Sequence, residues 1–89
     1  MNRQNYEENA RILKALAHPT RLQLVEIIRE KHPCVKIMEE VLGLAQPNIS
    51  QHLSLLRNIG IVEAERIGNR VCYRIKNQSV LKLLDSLAD

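Results

Sequence analysis

The sequence predicts a mostly helical α+β fold with one small β-hairpin. Three observations support this. Apolar residues recur at helical spacing from residue 5 to residue 59. Gly43 splits a short apolar segment from a longer one. The period then changes to alternation over residues 61–76, on either side of Gly68-Asn69.

Each element follows in order. Residues 5–17 place Ile12, Leu13 and Leu16 on one side of a first helix. His18-Pro19 breaks that helix, and Pro19 suits the first turn of the next one. Residues 20–31 carry Leu22, Leu24, Val25, Ile27 and Ile28, enough apolar surface for a central core helix, which Lys31-His32-Pro33 ends. Cys34-Val35-Lys36 reads as a brief strand, residues 37–42 as a short helix stopped by Gly43, and Leu44-Ala45 as a turn. Residues 46–58 form a longer helix that ends at Gly60. In the hairpin, Val71, Tyr73 and Ile75 are expected inward and Cys72, Arg74 and Lys76 outward. Asn77 caps a last helix bearing Val80, Leu81, Leu83, Leu84 and Leu87. Two helices joined by a glycine turn make a helix-turn-helix, and a hairpin directly after it makes a wing. The order is therefore that of a winged helix-turn-helix, expected as a single domain over residues 1–89.

Composition bounds what such a chain does. Of its 89 residues 45% are hydrophobic, with no Trp or Phe and only Tyr6 and Tyr73, so the core must be aliphatic. No apolar run nears the roughly 18 residues of a membrane span, and MNRQNYEENA lacks the apolar stretch of a secretory signal. A cytoplasmic location with reduced thiols is expected, which argues against a disulfide framework from Cys34 and Cys72. Net charge is +3, and the excess is local: residues 44–76 hold five Lys/Arg against two Asp/Glu. That distribution suits a polyanion.

The helix over residues 46–58 has an unusual polar face. Ile49, Leu53 and Leu56 lie about 150° from Gln51 at 100° per residue, on the core side. Pro47, Asn48, Ser54 and Leu55 surround Gln51, Gln46 and Ser50 lie on one flank, and His52 lies on the other. Neutral amides and hydroxyls can pair with base edges, and Leu55 with a thymine methyl, without adding nonspecific attraction. Arg57, at the helix edge, is placed for phosphate. Arg66, Asn69 and Arg70 put charge and an amide on the wing, where a minor groove or phosphate is the natural partner. For Arg74, a charged sheet edge competes evenly with DNA. His52 divides between phosphate contact and packing, and His18 is read as structural. The partner implied is double-stranded operator DNA.

Three stretches resemble the ArsR/SmtB family of small winged-helix repressors: LKALAHPTRLQLVEII, LAQPNISQHLSLLRNIGIV and GNRVCYRI. Together they span residues 13–76. The resemblance implies a homodimer built by the first and last helices, bound to a pseudo-palindromic operator and released by a ligand or by thiol oxidation. Many members carry Ser or Thr where this chain has Ala45, so a helix cap is missing here. The family's best-known metal site pairs two cysteines one residue apart. Cys34 matches the first, and Lys36 replaces the second. A second family site uses Asp and His on the last helix, where this chain has Asp85 and Asp89 but no His.

Another constellation remains. In a winged helix the segment at Cys34 pairs with the second wing strand, which would make Cys34 and Cys72 cross-strand neighbours with Lys36 and Arg74 beside them. Such thiols make a redox switch, or supply a soft metal or arsenite with His32 as a third ligand, or are two unrelated small residues. No cofactor is required by the first of these. A winged-helix interaction module without DNA is the competing function, but interaction surfaces favour exposed aromatics. An enzyme is disfavoured, because a Cys34–His32 pair has no orienting group.

Overall fold

Asn2 sets the start of the first helix, α1 (Arg3–Leu16). Its side chain accepts from the Asn5 amide at 2.9 Å, and the Asn5 side chain accepts from the Asn2 amide at 3.2 Å. This reciprocal box satisfies two otherwise unpaired N–H groups, so the helix begins ahead of its apolar stripe. The computed structural model describes residues 1–31 and 33–88. The remaining elements are α2 (Pro19–Lys31), α3 (Val35–Leu42), α4 (Gln46–Ile59), β1 (Val62–Ile67), β2 (Arg70–Ile75) and α5 (Gln78–Leu87). His18 opens α2 by accepting the Thr20 amide on Nδ1 at 3.1 Å, the structural role expected of it. Gly43 ends α3 at φ 66°, a left-handed conformation that a side chain would penalise. Asn77 caps α5 by accepting from the Ser79 amide at 2.9 Å.

The core is aliphatic throughout. Leu24, Val25 and Ile28 of α2, Met38 of α3, Ile49, Leu53 and Leu56 of α4, Ile61 and Val62 at the strand entry, and Val80 of α5 are all fully enclosed. No polar side chain is buried among the described residues, so the core owes nothing to internal hydrogen bonds or ion pairs. An Arg29–Asp85 ion pair ties α2 to α5 at the surface.

β1 and β2 form an antiparallel hairpin whose register runs from Val62↔Ile75 to Ile67↔Arg70. The turn is Gly68-Asn69, with Gly68 at φ 65°, as a tight two-residue connection requires. Two expectations fail here. The brief strand over residues 34–36 is reduced to a single bridge, Cys34↔Cys72. Pro33 has no N–H to extend the ladder and Val35 already begins α3; the Tyr73 amide reaches back to the Pro33 carbonyl at 3.0 Å. Val71 does not reach the core either. It is 37% exposed, whereas Tyr73 and Ile75 pack on the core, because Val71 stands one pair from the turn, at the far end of the hairpin.

Some apolar surface is left uncovered. Tyr6 and Leu13 on α1 are 61% and 54% exposed, and Leu87 on α5 is 72% exposed. Leu13 therefore does not share the buried side of α1 with Leu16. No helix among the described residues is long and apolar enough to cross a membrane.

Candidate nucleic-acid interface

The helix-turn-helix is α3, residues 43–45, and α4. Gly43 in the left-handed conformation reverses the chain, and Ala45 at φ −68°, ψ 149° starts α4. Ala45 makes no side-chain cap, as its identity dictates. Ile49, Leu53 and Leu56 anchor α4 at 0%, 1% and 0% exposure. The opposite face is open: Gln46, Pro47, Asn48, Gln51, Ser54 and Arg57 are exposed, and Ser50 and His52 are half-buried. Gln46 Nε2 donates to Ser50 Oγ at 2.6 Å, which braces one flank of that face.

The other flank is not open. Leu55 is half-buried and packs against the core cluster, with Arg11, Lys14 and Arg21 beside it. It is therefore not the exposed methyl contact expected from the helical wheel. The wheel measures angle on one helix, and it cannot show that α1 crosses that flank. His52 sits on the same side. Its ring lies 4.8 Å from that of His18, tilted by 54°. Burial, the neighbouring His18 and then Arg21 hold its pKa below the usual histidine value. His52 thus packs against the start of α2.

On the wing, Arg66, Asn69 and Arg70 are all exposed. The register separates them in a way the sequence did not disclose. Arg66 pairs with Val71, on the face that carries Tyr73 and Ile75, whereas Arg70 pairs with Ile67, on the face that carries Cys72. The two arginines leave opposite sides of the hairpin. Neither makes an ion pair among the described residues. Arg74 differs: Nε donates to Glu63 at 2.5 Å and Nη1 to Glu65 at 3.0 Å. These two carboxylates, Glu63 first, raise its pKa further. The even choice at Arg74 resolves toward a cross-strand charge pair, and its guanidinium is not available to a neighbouring thiol.

Cys34 and Cys72 are both half-buried free thiols. The Tyr73–Pro33 hydrogen bond flanks their bridge, which makes them a non-hydrogen-bonded antiparallel pair. Such pairs bring Cα atoms to about 4.5 Å with side chains on one face. Disulfides accept Cα separations of about 4.4–6.8 Å. Cys34 is also the N-cap residue of α3, and Cys72 lies in the second wing strand, so the pair joins the two parts of the candidate interface. Lys36 is exposed in the first turn of α3. No group of three or more His, Cys, Asp or Glu able to hold a metal occurs among the described residues. His32, the candidate third ligand, lies outside them, as does Asp89.

Comparison with known proteins agrees with this geometry. Residues 18–64 match the family model for bacterial regulatory proteins of the arsR family. The chain is 38% identical over 78 residues to the HTH-type transcriptional repressor SmtB of Mycobacterium tuberculosis, covering 86% of this chain but only 58% of that longer relative. Among solved structures, the transcriptional repressor PagR of Bacillus anthracis superposes with a TM-score of 0.89 at 30% identity, covering 98% of this chain and all of that one. The homodimeric winged helix-turn-helix DNA-binding domain of a possible ArsR-family regulator from Mycobacterium bovis superposes with a TM-score of 0.86 at 31% identity, covering 94% and 78%.

Proposed function

This chain belongs to the arsR family of bacterial regulatory proteins, and from that premise we propose that it is a sequence-specific, DNA-binding transcriptional repressor that works as a cytoplasmic homodimer. The family is one of regulators, not enzymes, so the Cys34–His32 enzyme reading is set aside. The observation that carries the proposal is the polar face of α4. Asn48, Gln51 and Ser54 stand exposed on a helix whose other side is locked into the core. A rigid helix that presents uncharged donors and acceptors is suited to base edges in a major groove. Gln46, Pro47, Ser50, His52 and Arg57 border that face, and Arg66, Asn69 and Arg70 extend it along the wing toward phosphate or minor groove.

The uncovered apolar residues of α1 and α5, Tyr6, Leu13 and Leu87, supply a dimer contact. A twofold pair of reading helices then meets two half-sites one helical turn apart. The Mycobacterium bovis neighbour is homodimeric, which supports that assembly.

Release from the operator is assigned to oxidation of Cys34 and Cys72. A disulfide across this bridge ties the second wing strand to the N-cap of α3 and restricts how the two elements adjust to DNA. That constraint acts on two elements that must touch DNA together. A soft metal or metalloid bound by the same thiols would need a third ligand.

Operator binding measured against random DNA tests the reading. Gln51→Ala should reduce preference for the selected operator far more than nonspecific affinity, and Arg70→Ala should reduce both. An unchanged preference in Gln51→Ala would show that this face does not read bases. Equal operator affinity of the oxidised and reduced protein would remove the thiol switch and leave the repressor.

A further inference from the structure

A groove of about 580 Å³ opens beside Cys34, between the start of α3 and the wing tip. Its size is in the range of small-molecule sites. Ile37 and Val71 give it apolar walls, both of them exposed to solvent. Lys36 and Arg70 line it from opposite sides, one from α3 and one from the wing. Neither forms an ion pair among the described residues. Glu40 is the one carboxylate in the lining, so the groove is net cationic. Cys34 lines it, and Cys72 stands behind Cys34 as its bridge partner. Such a groove attracts anions and delivers them to one thiol of a pair.

We propose that this groove receives an anionic low-molecular-weight disulfide, which oxidises Cys34 first and Cys72 second. The inference rests on the thiol switch above and identifies the chemical class of its oxidant. In the first step the Cys34 thiolate attacks one sulfur of the small disulfide. The small S–S bond breaks, a mixed disulfide forms on Cys34, and one small thiolate leaves. In the second step the Cys72 thiolate attacks the Cys34 sulfur, the protein disulfide forms, and the second small thiolate leaves. Two protein thiols lose two electrons and two protons, and one small disulfide becomes two small thiols. Lys36 and Arg70 hold the anionic groups of the reagent during the first exchange. The ligand thereby touches both the helix-turn-helix and the wing, the two elements that the new bond ties together.

Three disulfides of different charge test this on the reduced protein: oxidised glutathione (anionic), bis(2-hydroxyethyl) disulfide (neutral) and cystamine (cationic). Each rate is normalised to the same reagent's rate with free cysteine, and products are read by mass spectrometry. Oxidised glutathione should be favoured over the neutral reagent by about tenfold at low salt, the low end of what a charged cleft adds to an association rate. Cystamine should be slowest, and added salt should compress the differences. Lys36→Gln should slow only the glutathione reaction. Cys72→Ser should stop at a glutathione adduct on Cys34. Equal normalised rates, or a Lys36→Gln loss common to all three reagents, would overturn the proposal. Hydrogen peroxide separates it from the switch beneath it. If peroxide closes the Cys34–Cys72 bond and weakens operator binding while reagent charge makes no difference, the groove assignment alone falls. If no oxidant closes the bond, both fall.

Discussion

Replacing Ala45 by serine should stabilise the protein. The backbone at residue 45 already has the extended conformation of an N-cap, and its carbonyl accepts from the amides of Asn48 at 3.0 Å and Ile49 at 3.2 Å. Ala45 itself makes no side-chain hydrogen bond to the first turn of α4. Pro47, at the second position, has no N–H to satisfy, so the Asn48 amide is the natural donor to a hydroxyl introduced by Ala45→Ser. The same molecule shows the missing interaction twice, where Asn2 accepts from Asn5 and Asn77 accepts from Ser79, each at 2.9 Å. A cap of this kind contributes about 1 kcal/mol. Because the Asn48 amide already has a partner in the Ala45 carbonyl, the lower half of the range, about 0.5–1 kcal/mol, applies. For a domain of this size that raises Tm by roughly 2–8 °C. Thermal unfolding followed by circular dichroism at one fixed protein concentration reads the change, since the midpoint of a dimer depends on concentration. Ala45→Val is the control, because valine cannot cap and should not raise Tm. A serine variant that melts at or below the parent, or a valine variant that matches it, would refute the capping argument.

Other outcomes follow from the same structure. Leu53→Ala removes a side chain that is 1% exposed and should lose about 2–5 kcal/mol, read as a lower urea midpoint; against a total of about 5–15 kcal/mol this threatens folding itself. Acidification should weaken the fold through His52, whose pKa is lowered by burial, then by His18 and Arg21. The unfolded chain takes up the proton first, so this contribution is complete above the ordinary histidine value of about 6.5 and is lost as pH falls below it; His52→Gln should flatten the change in urea midpoint between neutral and mildly acidic buffer. Arg74→Gln should weaken operator binding less than Arg70→Gln in a salt titration, because Glu63 and Glu65 already hold Arg74. Equal losses would return Arg74 to the interface.

Much of the candidate site was legible because it depends on local pattern. The apolar spacing of Ile49, Leu53 and Leu56 defines a buried side, and whatever faces away from it is exposed whichever neighbours supply the core. Gly43, Gly68-Asn69 and Asn77 mark ends and turns through their own backbone or side-chain chemistry. The errors occurred where a second element decides. Leu55 looks exposed on its own helix and is half-covered next to Arg11, Lys14 and Arg21. Val71 alternates in step with Tyr73 and Ile75, but the core ends before reaching it.

The sequence by itself determined the order of elements, the aliphatic character of the core and the polar face of α4, because each follows from period, composition or turn chemistry within a few residues. Tertiary structure alone decided which faces of the wing carry Arg66 and Arg70, that Glu63 and Glu65 hold Arg74, and that the strand at Cys34 shrinks to one bridge. Those outcomes depend on register and on contacts between residues far apart in the chain. A shift of one position would turn every side chain of a strand to its other face.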